Sequence, residues 1–302
     1  MRRGWIVAIA CLCLPSPVLA ELTDAARLAA AYDSILNADF DRAAAQLRDT
    51  CPPAPHESCK VLNTVSLWWQ ILIDPENRSL DRRFNTAAAD AIAATGAWTL
   101  REPRRGESWF YLAGSYAPLV QWRVIRGERL TAAREAKRGK DALEHALKID
   151  AQLYDAHFGI GLYHYYADVA PAYARLLRWL LLLPGGDRAT GLQEMLRARE
   201  RGQLLRGEAD FQLAQIYLWY ENRPRDALAL FASLDARYSA NPIFLERIAD
   251  AYDVYLHDLD ASADTWQRLL DRARDNRVAS PRVIEARAGR KLRDLIARRA
   301  KK

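Results

Sequence analysis

The sequence predicts an all-α chain, a superhelix of about six stacked helical hairpins closed by a C-terminal helix, and three observations carry that prediction. Apolar residues recur at helical spacing along most of the chain, with almost none of the Val-Thr-Ile alternation that marks strands. Connections are short and hold the expected breakers: Asp74-Pro75, Gly96, Pro103, Pro184-Gly185-Gly186, Asn222-Arg223-Pro224 and Ser280-Pro281. A two-helix unit, with small residues where its helices meet and large ones facing the next unit, recurs with irregular spacing.

The order begins with residues 1–20, MRRGWIVAIACLCLPSPVLA, where Arg2 and Arg3 precede an apolar stretch from Trp5 to Leu14 and Val18-Leu19-Ala20 ends the segment. This reads as a secretory signal peptide cleaved after Ala20. The rivals are a retained anchor, for which the stretch is about half the roughly 20 residues a span needs, and acylation at Cys11 or Cys13, whose preceding residues fit such a signal poorly. Removing Arg2 and Arg3 from the 44 basic side chains leaves 42 against 38 acidic ones, a mixed surface of formal charge +4. No concentrated basic stripe marks a nucleic-acid surface. Cys51 and Cys59, in TCPPAPHESCK, are the two cysteines left after cleavage. An oxidising compartment makes them a disulfide pair; metal binding with His56 and Glu57 is the alternative.

Residues 21–302 then form one helical repeat domain. Its first part, 21–100, holds degenerate pairs: Ala30 and Ala31 meet Ala43 and Leu47 across the NADFDRA turn, and Leu62 to Thr95 supplies another. The better-matched repeats span 105–275. Trp109, Leu112, Ala113 and Tyr116 open one unit; Gly139, Leu143 and Ala146 form a second helix, and Ile160 and Gly161 the packing pair of the next first helix. Leu213, Ala214 and Tyr217, with Ala227 and Phe231, repeat the pattern up to the exit turn Asn241-Pro242. Ile248, Ala249 and Tyr252 begin the pair that ends in ADTWQRLLDRA, and 281–300 is the C-terminal helix. The run YARLLRWLLLLPGGDRATGL, 173–192, is too short and too interrupted by Arg175 and Arg178 to span a bilayer. It reads as an inserted helix ended by Pro184-Gly185-Gly186, with Asp187 capping the helix that follows.

The junction GKDALEHALKIDAQLYDAHFGIGLYHYY and its companions resemble the tetratricopeptide repeat, over most of the chain. More narrowly, FGIGLYHYY, VAPAYARLLRWLLLLPGGDRATGLQEM and YSANPIFLERIADAY resemble the signature region of the tetratricopeptide repeat protein 39 family, which includes the fungal inclusion-body clearance proteins. The resemblance implies an α-α superhelix working through protein partners and supplies no catalytic residue set.

Two constellations compete for function. His157, His164 and Asp168, at spacings of seven and four, share a helical face and would centre a metal-dependent enzyme, although no HExxH accompanies them. Both histidines also fall where repeats place a large flat side chain. No GxSxG occurs, and Gly159-Ile160-Gly161 lies within a helix, not in a phosphate-binding loop. The other constellation is the concave surface lined by first helices. In the repeat register it presents Phe110, then Phe158, Leu162, Tyr165 and Tyr166, then Phe211, Gln215 and Trp219, and finally Glu246, Asp250 and Asp253. Such a groove, aromatic in the middle and acidic at one end, suits a peptide or helix with apolar and basic residues. The expectation is therefore a periplasmic or secreted, non-catalytic scaffold for a protein or peptide, needing no cofactor and no nucleic acid. A membrane-peripheral protein using helix 173–183 is the remaining alternative.

Overall fold

The computed structural model describes residues 22–169 and 185–300, and among them it holds thirteen α-helices and no strand. Residues 1–20, expected to be a leader, and the 173–183 stretch lie outside the described residues. The helices are α1 (Ala25–Leu36), α2 (Phe40–Thr50), α3 (His56–Ile73), α4 (Asp81–Arg101), α5 (Gly106–Ile125), α6 (Arg129–Ile149), α7 (Tyr154–Val169), α8 (Arg188–Arg201), α9 (Arg206–Trp219), α10 (Pro224–Arg237), α11 (Pro242–Asp250), α12 (Leu259–Arg274) and α13 (Pro281–Arg299). A π-helical turn, Ala251–Tyr255, extends α11. Neighbouring helices pack consecutively, so the chain is an all-α solenoid.

Local chemistry sets the boundaries. Asp39, Asp187, Asn241 and Asp258 each accept a hydrogen bond from a first-turn N–H of α2, α8, α11 and α12, which satisfies donors the helix itself leaves unpaired. Proline opens α10, α11 and α13, where its missing N–H costs nothing. The Asp187 cap stands where the sequence put it, donated to by Thr190 N at 2.6 Å. In α2 the buried residues Ala43, Leu47 and Thr50 lie on one face. In contrast α3 buries Cys59, Val61, Thr64, Leu67 and Trp69, which lie around its circumference, because it is packed between α1, α4 and α5. Between α7 and α8 the backbones themselves touch. A Cβ added to Gly161 would stand 2.6 Å from the Gly191 carbonyl oxygen, and one on Gly191 would stand 2.7 Å from that of Gly161. Glycine at both positions lets the two helices approach this closely.

The superhelix also closes on itself. Tyr238 donates to Asp33 at 2.6 Å, Asn241 Nδ2 to the Leu36 carbonyl at 2.8 Å, and Ala240 N to Asn37 at 3.2 Å. These bonds dock the end of α1 on the α10–α11 turn, some 200 positions later in the chain. The Trp69 ring lies 5.0 Å from that of Phe211 and 6.2 Å from that of Phe244, pegging α3 to α9 and α11. Arg287 of α13 donates to the Ile73 carbonyl at 2.9 Å, so the last helix also reaches the end of α3. One contiguous core therefore runs from Leu22 to Leu295. The Cys51 and Cys59 sulfurs are bonded at 2.02 Å, tying the α2–α3 connection.

Candidate functional site

This closure decides which part of the expected groove is free. Phe211 and Gln215 are buried: Phe211 lies beneath Trp69, and Gln215 donates to Gln212, itself bonded to Glu208. Tyr165 is fully buried, its hydroxyl on Glu221. The acidic end is not an open surface either, because α13 lays a basic stripe over it. Arg287 donates to Glu246 at 2.7 Å, Lys291 Nζ stands 3.9 Å from Asp250, and Arg298 holds Asp253 with two bonds of 2.6 and 2.7 Å. Glu246 is buried, while Asp250 and Asp253 are half-buried. The expected place for a basic peptide is thus filled by the chain's own C-terminal helix. Repeat register says which residues face inward, but not whether a distant segment of the same chain already lies there.

Electrostatics follow the same division. Burial pushes the Glu246 carboxyl above the usual range, and Arg287 offsets part of that. Arg298 holds Asp253 below the ordinary carboxylate value. Glu208 is pushed up by burial, against hydrogen bonds from Gln212 and Tyr32, each 3.1 Å long. Asp155 is likewise raised by burial, opposed by the backbone N–H groups of Gln203, Leu204 and Leu205, which donate to it at 2.8 to 3.0 Å.

What stays at least partly accessible is a strip on the later turns of α7 and the end of α9. Phe158, Leu162 and Tyr166 recur every four residues along one face of α7. Tyr166 makes an edge-on contact with Tyr220 at 5.7 Å between ring centroids. Beside it Trp219 is 43% exposed and Tyr220 45%, and the Arg247 guanidinium sits 5.5 Å over the Trp219 ring. The Arg188–Glu221 ion pair borders this trio, and that arginine holds the Glu221 carboxyl below its usual value.

At the other end of the strip is an apolar cavity of about 120 Å³ between α3, α5, α7 and the start of α9. Phe110, Phe158 and Leu162 line it, with Val61, Leu62 and Val65 opposite. Phe110 and Phe158 are buried and Leu162 half-buried, and all three border this cavity instead of the open trough expected of them. Trp68, Trp69, Ala117 and Tyr220 were not among the expected inner-face residues. The adjacent Trp68-Trp69 pair carried a usable signal: two large aromatics about 100° apart on a helix mark a broad apolar face that has to be covered.

The histidine constellation does not assemble. His157 Nδ1 is bonded to Glu194 across α7 and α8, Asp168 accepts from the Arg188 N–H at 3.1 Å, and buried His164 Nδ1 has no hydrogen-bond partner among the described residues. Among those residues no three His, Cys, Asp or Glu side chains come together so as to hold a metal ion. No family model matches the chain, and no curated protein matches it either.

Proposed function

We propose that the protein is an exported, non-catalytic scaffold of tetratricopeptide type that binds a protein or peptide partner along the α7 strip, with Tyr166, Tyr220 and Trp219 as its anchors. The observation that carries this reading is selective exposure. The molecule buries Trp68, Trp69, Trp98, Tyr111, Phe211 and Phe244, yet leaves Trp219 and Tyr220 side by side at 43% and 45% exposure. Aromatic side chains clustered at a surface, with few rotatable bonds to immobilise, are the usual energetic centres of protein interfaces. Export is supported by the leader-like residues 1–20 and by the bonded Cys51–Cys59 pair.

The test places a photo-crosslinking amino acid at Tyr220 and, as a control, at Leu100, an 84% exposed position on α4. A discrete adduct in envelope extract is expected at position 220 alone, and it disappears in the Trp219→Ala, Tyr166→Ala double variant. Equal adducts at both positions, or retention by the double variant, would overturn the proposal. N-terminal sequencing of the exported fraction should begin at Glu21.

A further inference from the structure

We infer that the cavity between α3, α5, α7 and α9 is a binding site in its own right, for one uncharged aromatic or branched aliphatic group of about the size of a benzene ring. Protein interiors are packed as densely as organic crystals, and voids much larger than a water molecule are few. A space of about 120 Å³ beside the strongly buried Trp68, Trp69 and Tyr111 stands out against that background. Apolar cavities on this scale, about 150 Å³, stay dry and accept benzene.

The walls define the chemistry of the guest. Val61, Leu62, Val65, Phe110, Phe158 and Leu162 supply aliphatic and aromatic surface. Two carboxyl groups also border the space, but both are engaged elsewhere. Asp155 accepts from three backbone N–H groups and Glu208 from Tyr32 and Gln212. Among the described residues no Lys or Arg lines the cavity, and the two unpaired donors of its lining residues, Trp69 Nε1 and the Tyr111 hydroxyl, are neutral. An anionic guest would therefore be buried without a counter-charge and beside two acids, a strongly unfavourable arrangement. Entry is from the side of Ala117, Gln121 and Leu162, the first of these exposed and the other two half-buried. The site stands independently of partner docking at Trp219 and Tyr220. Its guest is either a free small molecule or an apolar side chain of a bound protein, and the chemistry is the same in both cases.

Toluene, benzoate and benzylamine serve as probes of the full mature chain. Toluene at roughly ten times its Kd is expected to raise Tm by about 2 °C or more, and benzoate and benzylamine to leave it unchanged. Ala117→Trp, at the exposed mouth, should abolish the toluene shift, while Ala117→Ser keeps it. Intermolecular NOEs from toluene to the methyl groups of Val61, Val65 and Leu162 place the guest in the wild-type chain, whether or not the tryptophan variant folds. No toluene shift, an equal shift in a folded Ala117→Trp chain, missing NOEs, or stabilisation by benzylamine alone would each overturn the inference. If toluene added before irradiation prevents the adduct at position 220, the guest is a partner's side chain; a toluene site that leaves adduct formation unchanged belongs to a small molecule. Failure of crosslinking with the toluene result intact would sink the scaffold proposal and leave this one standing.

Discussion

The inner faces of α7 and α9 come from successive hairpins of one design, yet they meet opposite fates. On α9 the inward aromatic Phe211 is closed over by Trp69, whereas on α7 the inward Phe158 and Leu162 border a cavity, and Tyr166 continues the same stripe half-buried. The difference lies not in the repeat but in what the rest of the chain brings to it. Helices α1 and α3 cover α9 and the start of α11, and α13 covers the acidic residues beyond. A repeat surface binds a partner only where its own chain has left it uncovered.

Breaking the covered side should give the largest effects. Trp69→Ala removes the peg between α3, α9 and α11 and is expected to destabilise the protein by about 3–5 kcal/mol in urea denaturation. A loss under 1 kcal/mol would mean that the closure is loosely held. Reduction of Cys51–Cys59 frees a loop of 8 residues' separation and should cost roughly 2–3 kcal/mol, measured as the shift in urea midpoint with and without reductant. Arg287→Ala strips buried Glu246 of its cation and the Ile73 carbonyl of its donor. About 1–3 kcal/mol should be lost, and the remaining carboxyl should take up a proton at higher pH than in the parent, which NMR titration reads.

Smaller effects sharpen the contrast. Glu208 binds its proton more tightly folded than unfolded, because burial raises its folded value. Its contribution is fully present below the ordinary glutamate value and is lost as pH rises through the raised one. Glu208→Gln should flatten that decline, so the variant gains on the parent as pH climbs toward neutrality. A stability difference independent of pH would show that Glu208 is not the titrating group. The double variant Trp219→Ala, Tyr220→Ala on the open side should change Tm least of all, because exposed aromatics contribute little to the fold.

Local order was legible because it is written in neighbours. The 3.6-residue spacing, the Asn241-Pro242 break, the Asp187 cap and the cysteine pair all depend on residues a few positions apart. The closure depends on residues some 200 positions apart. Its determinants look ordinary in sequence: Asn241 reads as a turn residue and Arg287 as one more solvated arginine, yet Asn241 is fully buried and Arg287 spans two helices. The placement of Trp69 of α3 over Phe211 distinguishes it from Phe158, and no periodicity reports it.

The docking of α1 on the α10–α11 turn has a bearing on how the chain comes together. In an open repeat array each hairpin can fold on the one before it, so stability grows outward step by step. Here Leu36 and Asp33 find their partners only once Tyr238 and Asn241 exist. A chain made from its N-terminus onward must therefore leave Asp33, the Leu36 carbonyl and Asn37 at the end of its first helix without these partners until most of the protein has been produced. Contacts of such sequence separation slow folding, and they join the two ends into a single cooperative unit that a linear stack of hairpins would lack.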